Sequence, residues 1–327
     1  MSIRPRRSFC AVRLSPEQAH TVWEHSPEAT AFTRPSYLPQ LVDEVEWWGA
    51  ERSGRILAAW PLVRPNSDGE IKPPPFCYYI GPMFIRELRD NPSSLHNWNA
   101  YTECLRLMLE AIIDAHPRFA FSCPPGMTDL RALSWWNFDH SCEGGFQITP
   151  RYTARIDLTR LPHETSLLRG MSRIRRRAIA KCSKAQPLEF DDVDNERLLQ
   201  LHDQTLRRTG GIITDDRHRA LRRMADLARS GAGAIIGFKL PTEQSVEAAV
   251  ILLDGPHVVN AVFGTVSDAH CKSGLPTWIL WRAIRRAQTS GMQWFDMNGA
   301  NSPERAWNKH SFGACTELYF DCRFERR

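Results

Sequence analysis

The stretch that most constrains this chain runs from Gly291 to Gly313. Gly291 closes one helix. A short apolar strand with Met292, Trp294 and Phe295 then ends on Asp296 and a small polar turn, Asn298 to Ser302. Pro303 opens a second short helix at its first turn, where its missing N–H costs nothing. That helix delivers Lys309, followed by Phe312 and Gly313. A strand end, a glycine turn and a helix N-terminus leave N–H groups pointing outward, a place for an anion or a reacting carbonyl. A plain strand–turn–helix connection has the same outline, so the rest of the chain must decide.

At 327 residues the chain has room for two ordinary domains. With 42% hydrophobic and 24% charged residues it reads as globular. No apolar run approaches the ~20 residues of a membrane span. The basic start, Met1 to Ser8, lacks the apolar core of a secretion signal. Nine cysteines, none in a Cys-x-x-Cys pair, suit reduced thiols in a cytoplasm better than a disulfide framework or a zinc site. The net charge of +5 is unevenly spread. From Arg169 to Lys184 there are seven basic residues and no acidic one, so the remainder of the chain is slightly acidic. Attraction to polyanions is therefore local.

Hydrophobic spacing predicts helices after Ser15-Pro16 and after Pro35-Ser36, then a hairpin around Ser53-Gly54. The run Phe76 to Ile80 follows a triple proline, and residues 46–81 together are expected to form three antiparallel strands. Trp98, Tyr101, Leu105, Met108, Leu109 and Ile112 mark an amphipathic helix that stops at Pro117. Phe119 to Phe121 reads as a strand, 128–138 as a helix, and Phe146 to Leu158 as one or two strands. One basic helix is expected over 163–184, with Leu167, Met171, Ile174 and Ala178 on its apolar face. After a strand at 187–193 come helices at 195–209 and 215–230. A three-strand meander over 234–266 leads to a helix at 275–289. A last strand covers 315–324. The two halves repeat one order loosely: helices, consecutive strands, a long helix, a strand. The predicted class is α/β with mixed, mostly antiparallel sheets, divided into domains 1–150 and 151–327.

A strand ending in Phe295-Asp296, then Gly299-x-Asn301-x-Pro303, then Lys309-x-x-Phe312-Gly313 resembles the C-terminal signature of acetyltransferase-fold (GNAT) proteins related to the Fem peptidyltransferases. Other passages extend the likeness over roughly residues 30–320. They are Tyr79-Ile-Gly81-Pro82, Asp129-Leu-Arg131, Trp135-Trp-Asn-Phe138, Thr149-Pro-Arg-Tyr152, and the basic run Met171 to Ala178. The resemblance implies two tandem acetyltransferase-like domains with the acceptor in a cleft between them. It implies an acyltransferase of the polysaccharide or envelope type.

By the same resemblance, Lys309 stabilises the oxyanion formed on a donor carbonyl, and Arg173, Arg176 and Arg177 hold the phosphate of a nucleotide-linked acceptor. A solvated basic face is the simpler alternative for those arginines, and an RNA-contacting surface is another. The loop Asp268 to Thr277 stands where acetyltransferases cradle the coenzyme A pyrophosphate on backbone N–H groups, which makes Lys272, Ser273 and Gly274 donor-binding candidates. Here only Gly274 is present, and Pro276 replaces a small residue of the pattern. Asp296 is the candidate base, with a turn-capping role as its alternative. Gly299 and Asn301 form the signature turn.

The expected reaction transfers an acyl group from acyl-CoA to an amine on a phosphate-bearing acceptor. No cofactor is tightly bound, and there is no metal, DNA or membrane span. An aminoacyl-tRNA donor, or a binding protein that kept the fold and lost catalysis, is the alternative. The expected location is cytoplasmic.

Overall fold

The computed structural model of the protein describes residues 9–66, 69–89, 94–136, 138 and 144–326. The basic start, Asn137 of the Trp135–Phe138 motif and Cys142 lie outside these residues. The chain forms two compact units, Met1–Arg151 with Leu318–Arg327, and Tyr152–Glu317. The last ten residues thus return to the first unit, a crossing that a single division after residue 150 does not include.

In the first unit, β1 (Phe9–Arg13), β2 (Glu44–Arg52), β3 (Arg55–Arg64) and β4 (Met83–Phe84) form an antiparallel sheet in that order. β2 and β3 make the expected hairpin. Ser53 and Gly54 both take positive φ, 55° and 78°, as a two-residue turn matched to strand twist requires. Helix α1 (Pro16–His25) begins with a capping box between Ser15 and Gln18. The helix expected after Pro35-Ser36 shrinks to one turn, α2 (Leu38–Leu41), and α3 (Arg86–Arg89) is another. The amphipathic helix is α4 (Leu95–Ala115), burying Tyr101, Leu105, Met108, Leu109 and Ile112 as its spacing predicts.

Residues 76–80 do not form the expected third strand. Phe76 and Tyr79 take φ of 67° and 56°, outside any strand conformation, and pairing with β3 falls to the two residues of β4. Strand β5 (Arg118–Cys123) pairs antiparallel with Phe320–Glu325, and Trp60 meets Phe121 edge-on at 4.6 Å. The helix expected at 128–138 is one turn, α5 (Arg131–Ser134), and β6 spans Gly145–Asp157.

The second unit opens with two helices where one is expected, α6 (Glu164–Gly170) and α7 (Arg173–Lys184). Ser172 interrupts them. Its backbone is extended, its Oγ accepts from Arg175 N, and its N–H donates to Ser311 O at 2.8 Å. The break rotates α7, so Ile179 and Cys182 face inward while Ile174 is 61% exposed. Then follow β7 (Leu188–Phe190), α8 (Asn195–Thr209), α9 (Asp215–Leu227), β8 (Gly233–Lys239), β9 (Ala248–Asp254), β10 (Val258–Val266) and α10 (Leu275–Thr289). The signature stretch forms β11 (Trp294–Gly299) and α11 (Pro303–His310), before β12 (Cys315–Glu325).

The sheet order in this unit is β6-β11-β10-β9-β8-β7. β8, β9 and β10 are the predicted antiparallel meander. The core gathers Phe238, Val250, Leu252, Ile279, Trp281, Ile284 and Phe295 between this sheet and α10.

Candidate active site

β10 and β11 are parallel, but their register holds only for Val258–Asn260 against Trp294–Asp296. Beyond Asn260 the strands are no longer paired; β10 shifts register against β9 between Ala261 and Phe263, and β11 against β6 between Asp296 and Gly299. A cavity of about 210 Å³ is lined by the residues that follow, Ala261 and Phe263, Gly264, Thr265 and Val266 on β10 and Met297 on β11. Pro276, Ile279 and Leu280 of α10, Thr205 and Arg208 of α8, and Asn308 and Lys309 of α11 complete its wall. The lining is mainly apolar, with the polar groups supplied by α8, α11 and Thr265 of β10.

Lys309 reaches this cavity because Ser302 caps α11 and Pro303 fixes its first turn. Its ammonium donates to Asn298 O and Gly299 O, the carbonyls of the signature turn. Two of its three N–H donors are thereby placed, and the side chain lines the cavity. Burial pushes the Lys309 pKa down to about 8; Asp296 opposes the shift and Arg305 adds to it.

Asp296 is fully buried and has no geometry for taking a proton from a substrate. One oxygen accepts from Thr153 Oγ1 at 2.6 Å and Asn298 N at 2.7 Å, the other from Arg155 Nε at 3.0 Å. Arg155 also pairs with Glu317 at 2.8 Å. Asp296 therefore ties β6, β11 and the signature turn together. That corrects its expected role as base, and its turn-binding alternative describes it better. Asn301 does the same from outside, accepting Tyr152 N at 2.8 Å, while Gly299 pairs with Thr153.

The basic helix separates its arginines. Arg176 donates from Nη1 to Leu168 O, Arg169 O and Met171 O, closing the C-terminus of α6, so it serves the helix end before any phosphate. Arg176→Ala should lower the thermal stability by about 1 kcal/mol, the usual size of a lost helix cap, without changing ligand affinity; calorimetry beside a ligand titration checks both. Arg173 and Arg177 are exposed and carry no ion pair among the described residues.

Arg175 is the residue that sequence reasoning missed. It donates at 2.7 Å to Ser311 Oγ, Thr277 Oγ1 and Asn308 Oδ1, joining α7 to α10 and α11, and lies over the rings of Trp307 and Phe312. Burial lowers its pKa. Within the run Arg173–Arg177 nothing marks it; only the break at Ser172 decides which arginine turns inward.

The loop before α10 gives its expected donor residues internal partners. Ser273 Oγ donates to His270 O and accepts from Leu275 N. Pro276 has no N–H, and Thr277 N donates to Gly274 O. The first three positions of α10 thus have no N–H left for an anion. Gly274, at φ 97°, faces α7: a Cβ there would meet Ala178 O at 3.5 Å and Cys182 Cβ at 4.0 Å. Lys272 is exposed. A pyrophosphate cradle of the acetyltransferase kind would have to draw on the loop N–H groups ahead of the helix rather than on its first three positions.

The splayed parallel pair, the helix that follows it and the lysine at its mouth define an acetyltransferase-type catalytic unit. Residues 169–306 match the model of the acetyltransferase (GNAT) domain. The second unit thus carries an acetyltransferase (GNAT) domain, which supports an acyltransferase. No curated protein matches the chain in sequence. Among solved structures it is similar to FemX, with a TM-score of 0.67 at 11% identity over 95% of this chain and 96% of that one. A tandem GNAT protein from the clavulanic acid biosynthesis pathway gives 0.56 at 11% identity, covering 98% of each chain. L-PGS from Bacillus licheniformis gives 0.55 at 11% identity over 96% of this chain and 92% of that one. At these identities the likeness is one of fold. Among the described residues no helix is long and apolar enough to cross a membrane.

Proposed function

We propose that the second unit catalyses N-acyl transfer in the cavity between β10 and β11. The observation that carries this reading is the Lys309 ammonium on the cavity wall, held by two carbonyls with one donor left. A donor carbonyl in the cavity would receive that third N–H. The acceptor amine attacks the carbonyl carbon, forming the new C–N bond, and negative charge gathers on the oxygen beside Lys309. Collapse breaks the bond to the leaving sulfur or oxygen, which takes up the proton that the amine sheds through solvent. Alignment of amine and carbonyl supplies much of the rate, and a preplaced cation supplies the rest.

The fold generally uses acyl-CoA as co-substrate, and the acceptor we favour is an amine on a phosphate-bearing molecule such as a nucleotide sugar or envelope precursor. Arg173 and Arg177 are the groups proposed to meet that phosphate, or the phosphate of the donor. An aminoacyl-tRNA ester is a second donor consistent with the self-satisfied start of α10.

Gly264 offers a test. It lines the cavity, and a Cβ there meets nothing within 4 Å, so a larger residue can enter without disturbing the fold. Gly264→Trp should keep the melting temperature and remove the thermal shift produced by acetyl-CoA or acetyl-pantetheine. A shift of parent size in the variant would place donor binding elsewhere.

A further inference from the structure

The donor reading above leaves open what carries the acyl group. Resting on the N-acyltransferase reading, we propose that the donor arrives as an acyl thioester on the phosphopantetheine arm of an acidic carrier protein, docked on the exposed face of α7.

Three observations converge. The start of α10 is partly closed by Ser273, Pro276 and the packing of α7 on Gly274, so a pyrophosphate would find no N–H donor at the first three positions of the helix. The nucleotide end of coenzyme A therefore has a reduced seat at that helix, limited to N–H groups of the preceding loop. The cavity is small and lined mainly by Ala261, Phe263, Val266, Pro276, Ile279 and Met297, which suits a thin, unbranched thioester arm. The third observation is α7 itself. Arg173, Arg177, Lys181 and Lys184 are exposed and have no acidic partner among the described residues. At 3.6 residues per turn they fall within an arc of about 80° and span about 16 Å.

Ile174, 61% exposed, borders this stripe. A row of cations with an aliphatic residue beside it matches the acidic helix of a protein. A nucleic acid strand would call for aromatic rings along the row, and α7 has none. The stripe lies on the far face of α7 from the cavity but begins at the helix turn that borders it. Arg175 on the opposite side of α7 is bonded to Asn308 on the cavity wall, so the first turn of α7 borders the cavity. An arm leaving a carrier seated over Lys181 and Lys184 would pass Arg173 and Arg177, placed to meet its phosphodiester, and round the first turn of α7 to enter between β10 and β11. In the transfer the thioester C–S bond breaks, the amide C–N bond forms, and the carrier arm leaves as a thiol bearing the amine's proton.

The experiment compares four probes by titration calorimetry: acetyl-pantetheine, acetyl-CoA, an acidic acyl carrier protein in its acetyl-phosphopantetheine form, and a bulk aminoacyl-tRNA. Acetyl-pantetheine and acetyl-CoA should bind with affinities within about threefold of each other, because an uncontacted nucleotide adds little. The acetylated carrier should bind at least about tenfold more tightly than either, with an affinity that falls as salt is raised. Lys181→Glu with Lys184→Glu should weaken the carrier by about tenfold or more and leave acetyl-pantetheine unchanged. Acetyl-CoA binding far more tightly than acetyl-pantetheine, or a carrier indifferent to the double variant and to salt, overturns the proposal. So does tRNA binding through the stripe while the carrier fails to bind. If acetyl-pantetheine itself does not bind the parent protein, the cavity reading fails as well, an outcome distinct from failure of the carrier alone.

Discussion

Lys309→Met is expected to lower kcat by about 10²-fold with little change in KM, the size seen when a single oxyanion donor is removed. Methionine keeps the length and apolar stem but carries no donor, so binding in the cavity persists while charge on the carbonyl oxygen goes unmet. The pH profile identifies the form that acts. With a pKa of about 8, Lys309 serves as a cationic donor below that pH, and kcat should fall as the ammonium deprotonates above it. A kcat rising through the same range, and lost in Lys309→Met, would assign the lysine as a base instead. Stability carries an independent signature. The folded pKa lies below the ordinary value of 10.5, so between about 8 and 10.5 the unfolded chain holds the extra proton. Folding is then penalised below about pH 8, and the penalty is relieved as pH rises towards 10.5. The parent should gain stability relative to Lys309→Met across that window, which denaturant titrations at pH 7 and pH 10 measure.

Much of this unit is legible from local pattern. The meander over 234–266 and the helix at 275–289 follow from alternation and spacing that the tertiary fold does not override. Ser302 and Pro303 announce the helix that carries Lys309. Other features depend on contacts that local pattern cannot express. Met171 and Ile174 keep helical spacing across Ser172, and the break there rests on a bond to Ser311, far along the chain. Arg176 reads as a free cation until α6 ends beside it. In the first unit the aromatic run Phe76 to Ile80 has the composition of a strand, yet positive φ at Phe76 and Tyr79 removes it from the sheet. Ser273 and Gly274 look like an open phosphate loop in one dimension. Their hydrogen bonds and the body of α7 close it in three.

Asp296 is where this distinction has its largest energetic consequence. Asp296→Ala should destabilise the second unit by about 3–5 kcal/mol, the cost of leaving one member of a buried ion pair without the other. The group that loses its buried partner is Arg155, only 14% exposed at its side chain, which keeps its pairing with Glu317. Thr153 and the Asn298 N–H lose their acceptor at the same time. Arg155→Ala should cost a similar amount, and the double variant clearly less than the sum of the two, since the strain of each single change is an unpaired partner. Activity provides the complement. An anchor acts through the turn that holds Lys309, so at a temperature where Asp296→Asn remains folded its kcat should keep the pH dependence of Lys309 at a reduced level. A base acts through its own ionisation, and its amide would abolish turnover while leaving stability close to that of the parent. The buried geometry, with both carboxylate oxygens already accepting, favours the first pattern: a fully buried carboxylate with three of its roughly four lone pairs engaged by Thr153, Asn298 and Arg155 is built as an anchor.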